Sequence, residues 1–206
     1  MNKVDILAQI EKAVKTCNKC RLCKLAKKAV PGEGNPNSQI VFIGEAPGAN
    51  EDEQGRPFVG RAGKMLEEML KSIGLERQDV WIGNVIKHRP PDNRQPMADE
   101  VRACMPYLDA QLKAIAPKAI VTLGKYALEY FDKEGKISRD HGVPKKVGSR
   151  LIYPLYHPAA ALRNPAVDKV LRQEFKKVKD LISSDVKEFG GSGELKKKDD
   201  RQQSLF

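Results

Sequence analysis

Residues 40–52 read Ile-Val-Phe-Ile-Gly-Glu-Ala-Pro-Gly-Ala-Asn-Glu-Asp, and the change of character after Ile43 decides the fold. Ile40 to Ile43 is a short, unbroken apolar run, as expected of a strand buried on both faces. Gly44 ends it, and a polar loop rich in Gly and Pro takes over. Working outward, residues 61–73 place Met65, Leu66, Met69, Leu70 and Ile73 on one helical face, with Gly74 as the stop. Val80 to Ile86 is a second strand candidate. Residues 98–115 are again helical, with Val101, Met105, Leu108 and Leu112 in phase. Ala119 to Leu123 is a third strand, followed by a short helix through Phe131. Leu151 to Tyr156 is a fourth, where Pro154 predicts an edge or an irregular end. Residues 167–182 close with an amphipathic helix. Strands alternating with helices of this length predict βαβ units, hence an α/β fold with a mostly parallel sheet covered by helices. Such sheets bind ligands at the carboxyl ends of their strands. Here those ends run into GEAPGANED, NVIKHRPP and HPAAALRN.

The chain has 206 residues, 40% hydrophobic and 31% charged, which excludes a wholly disordered polymer. No apolar run approaches the ~20 residues of a membrane span. The N-terminus carries charges where an export signal needs an apolar block, so a cytoplasmic location is expected. Residues 1–182 read as one domain and 183–206 as a flexible tail, Gly/Ser-rich and then charged. The tail holds five basic and five acidic groups, so the net charge of +10 falls on residues 1–182. A basic folded domain points to a polyanion, most simply nucleic acid. Walker, G-x-G-x-x-G and nucleophile-elbow motifs are missing, which argues against NTPase, dehydrogenase and esterase chemistry.

Two constellations carry chemistry. Cys17, Cys20 and Cys23 form C-x2-C-x2-C, and Cys104 and His88 are distant further candidates. Thiolates at this spacing bind zinc or an iron–sulfur cluster, and the spacing does not choose between them. The second is the loop at 44–52. Its two glycines and proline let backbone N–H groups approach a ligand closely, and Glu45 and Glu51 are candidate catalytic carboxylates. Phe58 is either core or a stacking platform. Asn84, within an apolar strand, is a buried amide that needs partners and could read the edge of a base. His157 lies at a strand end, with Arg163 and Arg172 adding positive charge nearby.

The segments VPGEGN (30–35), GEAPGANEDEQGRPFVGRAG (44–63), NVIKHRPP (84–91) and HPAAALRN (157–164), with C-x2-C and Cys104, resemble a family 4 uracil-DNA glycosylase over roughly residues 15–182. The resemblance implies a four-stranded parallel α/β fold with a [4Fe–4S] cluster. It also implies a monomeric hydrolase that flips uracil out of single- or double-stranded DNA and leaves an abasic site for base-excision repair. It places Glu45 and Ala46 in the loop that holds the attacking water and Gly48 among the substrate-binding residues, with Glu51 as the second catalytic candidate. It further places Phe58 on the uracil ring, Asn84 on its Watson–Crick edge and His157 near O2. Leu162 and Arg163 are expected at the gap in the duplex and at phosphate.

One departure concerns the metal set. The family pattern KCRPP is here Lys87-His88-Arg89-Pro90-Pro91, so the expected ligands are Cys17, Cys20, His88 and Cys104, with Cys23 the alternative to His88. A related branch that traps uracil-DNA covalently also has N-x-V-K-H, followed by an inserted K-R-R-I-H. This chain has RPPDNRQP there, with Asn93 near the nucleophile's place, so turnover is expected and His141 is left as a minor covalent candidate. Gln202, Gln203, Ser204, Leu205 and Phe206 are similar to the bacterial sliding-clamp-binding peptide.

Overall fold

The computed structural model describes residues 2–183. The clamp-like peptide at Gln202, Leu205 and Phe206 lies outside the described residues. In chain order the elements are α1 (Lys3–Lys15), β1 (Glu33–Gly34), β2 (Ile40–Gly44), α2 (Ala49–Gln54), α3 (Arg61–Ser72), β3 (Trp81–Asn84), α4 (Ala98–Ile115) and β4 (Ala119–Leu123). There follow α5 (Lys125–Phe131), α6 (Ile137–Asp140), β5 (Lys145–Val147), β6 (Arg150–Leu155), α7 (Pro158–Ala161), α8 (Pro165–Phe175) and α9 (Asp180–Ser183).

The strands make one sheet in the order β1-β3-β2-β4-β6-β5. The inner four, β3, β2, β4 and β6, are parallel. The expected four-stranded parallel sheet is thus the centre of a six-stranded mixed one, because β1 and β5 add short antiparallel edges. β6 pairs with β4 through Leu155 but with β5 only as far as Ile152, so at Pro154 the strand is locally an edge, as expected. Pro154 lies beyond the last β5 pair, where no ladder on that flank needs its missing N–H. The closing helix differs from expectation. It begins at Pro165, and its regular part ends at Phe175 before a tighter 3-10 turn.

Every residue of β2 and β4 is buried, and their side chains alternate between two apolar layers. Ile40 and Phe42 face Met65, Leu66, Met69 and Leu70 of α3 and Leu171 and Phe175 of α8. Val41 and Ile43 face Leu108, Leu112 and Ile115 of α4 and Leu128 of α5. This three-layer arrangement explains the continuous apolar runs, because both sides of each inner strand are covered. From β2 the chain passes to β3 on one side, then crosses through α4 to β4 on the other. The order therefore reverses at the carboxyl end of β2, and an open α/β sheet has its ligand crevice at such a switch point. Gly44 is in register with Asn84 there.

Candidate active site

The carboxyl ends of β2, β3 and β6 open into a cleft of about 410 Å³ lined by Glu45, Ala46, Gly48, Glu51, Phe58, Asn84, His157 and Arg163. Leu162, named from sequence with this group, is exposed on the adjoining surface at the end of α7.

The loop after β2 is fastened to the strand beside it. Val85 N–H donates to Gly44 O at 3.0 Å, and Ile86 N–H donates to Glu45 O at 2.9 Å. Gly44 has no room for a side chain: a Cβ there would lie 2.4 Å from Asn84 Oδ1 and 2.7 Å from Phe58 Cζ. A glycine is required because an amide and an aromatic ring converge above it. Asn84 is 2% exposed, and its Oδ1 is buried without a protein partner. An orphaned acceptor of this kind costs about 1–3 kcal/mol, which is consistent with a role in receiving a donor from outside. The Asn84 backbone is held from behind, where Lys87 Nζ donates to its carbonyl at 2.8 Å and to Gln111 Oε1 at 2.8 Å.

Phe58 is almost fully buried, and its ring centroid is 5.7 Å from that of His157, with 26° between the planes. His157 caps α7, and its Nδ1 accepts from Ala159 N–H at 3.0 Å. That bond fixes the neutral tautomer, leaving Nε2 as the donor. Burial, opposed weakly by Glu51, drops the imidazole pKa to about 4, so the ring is uncharged at neutral pH.

The two carboxylates separate in role. Glu45 is half-buried, and burial, with the like charge of Glu129, pushes it up to about 7. Its acid–base equilibrium is therefore poised near neutrality. Glu51 is committed elsewhere: Oε1 accepts from Val59 N–H at 2.9 Å and Gly60 N–H at 2.8 Å, and Oε2 accepts from Gly48 N–H at 3.1 Å. It braces the two ends of the loop while lining the same cleft as Glu45. Arg172 is paired with Asp168 and Glu68, away from the cleft.

Asn93, named from sequence near the nucleophile's place, lines the cleft, and so do Pro90 and Arg94, which sequence reasoning missed. Asp92 and Asn93 are consecutive left-handed residues, each with φ of 53°, and Arg89 Nε donates to Asn93 Oδ1 at 2.9 Å. The Pro-Pro-Asp-Asn turn was the available signal. His141 is bound through Nδ1 to Glu174 at 2.7 Å and packs on Tyr156, a structural employment that leaves its covalent candidacy unsupported.

The cysteines gather where the turn at residues 17–24 docks on α4. Cys104 is buried with Leu22 and Ile86, and Cys20 packs against them. Burial pushes the Cys104 thiol up to about 11, the backbone N–H of Lys87 bonds to it, and Cys20 and Cys17 add to the rise. The Cys20 thiol is raised by burial and by neighbouring Cys17 and Cys23. All four cysteines are free, and among the described residues no three His, Cys, Asp or Glu side chains close on a single-ion site. Cys17, Cys20 and Cys104 sense one another's charge, and thiolates are the donors that zinc and iron–sulfur centres take. His88 is buried one residue past Lys87, and the charged group it senses is Asp52.

Residues 31–180 match the family model described as the Uracil DNA glycosylase superfamily. The chain is 50% identical over 188 residues to the Type-4 uracil-DNA glycosylase of Sulfurisphaera tokodaii, a match covering 86% of each chain. It is 47% identical over 194 residues to that of Saccharolobus solfataricus, covering 89% of this chain and 88% of the relative. With that of Thermotoga maritima the identity is 40% over 186 residues, covering 88% and 97%.

Proposed function

The chain belongs to the uracil-DNA glycosylase superfamily and to its type-4 group, and from that premise we propose that it hydrolyses the N-glycosyl bond of uracil in DNA through the cleft at the end of β2. The observation that carries this reading is the partnerless Asn84 Oδ1 beside the Phe58 ring. A flipped uracil stacks on Phe58 and offers N3–H to Asn84 Oδ1, while Asn84 Nδ2 donates to O4. Cytosine presents the opposite pattern at those two atoms and leaves the amide mismatched. As the C1′–N1 bond breaks, its electron pair moves into the base, and negative charge grows at O2. His157 Nε2–H donates to that oxygen. Water, oriented by Glu45, Ala46 and Gly48, attacks C1′ and gives its proton to the Glu45 carboxylate. Arg163 and Leu162 meet phosphate and the gap left by the flipped nucleotide. Asn93 lines the cleft, and its weakly nucleophilic amide leaves turnover rather than covalent capture as the outcome.

The test is an oligonucleotide with one internal uracil. Alkali-dependent cleavage in molar excess over enzyme supports the reading, and a covalent species that survives denaturant overturns it. The same assay carries a pH prediction. Because the carboxylate form of Glu45 is the reactive one, the rate rises through about pH 7 as the group loses its proton. In Glu45→Gln that rise disappears and the remaining rate is low at every pH. A rise of unchanged size in Glu45→Gln assigns the base elsewhere.

Membership in the type-4 group implies an iron–sulfur cluster. Cys17, Cys20 and Cys104, with His88 as fourth ligand, would hold a [4Fe–4S] centre. When bound, it would cross-link the 17–24 turn to α4. After anaerobic purification, His88→Ala is expected to lose iron and sulfide and Cys23→Ala to keep them; the reverse pattern makes Cys23 the ligand.

The domain of residues 1–182 carries the activity, and the tail from 183 carries a clamp-binding peptide at Gln202, Leu205 and Phe206. Deleting residues 202–206 should abolish retention on a sliding clamp and spare excision from free oligonucleotides; retained clamp binding refutes the peptide's role. No described helix is long and apolar enough to cross a membrane.

A further inference from the structure

Phe58 holds a backbone conformation that an aromatic residue rarely adopts, with φ of 51°. A non-glycine residue in the left-handed region costs on the order of 1–3 kcal/mol and persists only where its surroundings over-determine it. Those surroundings are specific. Arg77 Nη1 donates to Phe58 O at 3.1 Å, and Nη2 donates to Pro57 O. One guanidinium thus captures two successive carbonyls, which forces both to face the same way and turns the chain at Phe58. The fork is itself held on its outer side, by Glu33 Oε1 at 2.8 Å from Nε and by Glu67 Oε1 at 3.3 Å from Nη1. Arg56 clasps Glu33 with two further bonds of 2.8 Å. At the next residues Glu51 takes the amides of Val59 and Gly60. The loop is therefore fastened through carbonyls at one end and through amides at the other. Gly63, in the first turn of α3, closes the remaining side, since a Cβ there would lie 1.8 Å from Phe58 O.

Arg77 is 16% exposed in its side chain and stands four residues before β3, the strand that ends in Asn84. It ties the ring that would stack on the base to the strand that would read the base's edge. We propose that Arg77 is a positioning residue for uracil, holding the strained Phe58 platform at its working distance from Asn84 and His157. This rests on the function proposed above. Arg77 touches no reacting atom and acts through Phe58.

Single-turnover excision is measured for the wild-type chain, Arg77→Gln, Arg77→Lys, Phe58→Ala and the double variant Arg77→Gln/Phe58→Ala, all cluster-loaded and checked for unchanged circular dichroism. Misplacing a reacting group by about an ångström costs up to roughly a hundredfold, so Arg77→Gln is expected to lose about 10- to 100-fold in kcat. DNA KM should stay within about threefold, because Arg77 is not among the residues that line the cleft. Arg77→Lys, which can reach only one carbonyl, should fall between the two. The decisive readout is the double variant: it should be no slower than Phe58→Ala, because Arg77 has nothing left to position. Losses that multiply, or an Arg77→Gln rate within about threefold of wild type, overturn the proposal. If Arg77→Gln does not fold, Arg77→Lys and its double with Phe58→Ala give the same comparison. An inactive wild-type chain instead removes the uracil-excision reading itself, so the two failures are distinct.

Discussion

Asn84→Ala should reduce uracil excision on the order of a thousandfold while leaving the protein as stable as before or slightly more so. The amide has two tasks that alanine cannot share, accepting from N3–H and donating to O4, and sites built on such pairs discriminate by about 10⁴-fold or more when the pair is lost. Stability moves the other way because Oδ1 is buried with no partner in the protein, and deleting an unsatisfied acceptor removes its desolvation penalty. Lys87 is undisturbed, since it binds the Asn84 carbonyl rather than the side chain. Single-turnover rates together with thermal melting check both halves. A loss of activity matched by a fall in Tm would mean that Asn84 is a core residue and the base is read elsewhere.

His157→Asn is expected to lower kcat by about 10²- to 10³-fold, the usual consequence of removing one donor aimed at developing negative charge. Asparagine preserves an acceptor for Ala159 N–H, so the start of α7 stays capped and the loss belongs to the chemistry. The wild-type pH profile adds an independent check. His157 titrates near pH 4, where burial holds it, so it donates as a neutral ring across the neutral range. Acidifying from about pH 7 to pH 5 should slow the enzyme through Glu45 and gain nothing from His157. A rate that climbs on acidification in the wild type and stays flat in His157→Asn would make the imidazolium the working form.

The parts of the molecule that were readable from sequence are those in which one local pattern settles the outcome. Ile40 to Ile43 and Ala119 to Leu123 are continuously apolar because helices cover both sides, and α4 runs over the same residues that the periodicity gives. The edge strands were not readable. β1 is two residues and β5 is three, too short for any alternation, and their pairing depends on neighbours remote in sequence. In the site the limit is different. Glu45 and Glu51 share one loop and one residue type, and only the folding back of Val59, Gly60 and Gly48 onto Glu51 distinguishes them. Arg77 had no motif to announce it, since its role exists only once two carbonyls have been turned toward it. Phe58 was ambiguous between core and platform, and the structure explains the ambiguity: it is buried like the first and lines the cleft like the second.

The double fastening of the Phe58 loop has a thermodynamic consequence for substrate choice. A receptacle already set in its final shape relaxes little when a base arrives, so it offers no conformational free energy of its own to help draw the nucleotide out. The cost of extrusion then falls on the nucleic acid, through the stacking and pairing it must give up. Uracil in a single strand or in a weak wobble pair with guanine loses less than uracil paired with adenine. Excision rates across sequence contexts should then track the mechanical softness of the DNA around each lesion.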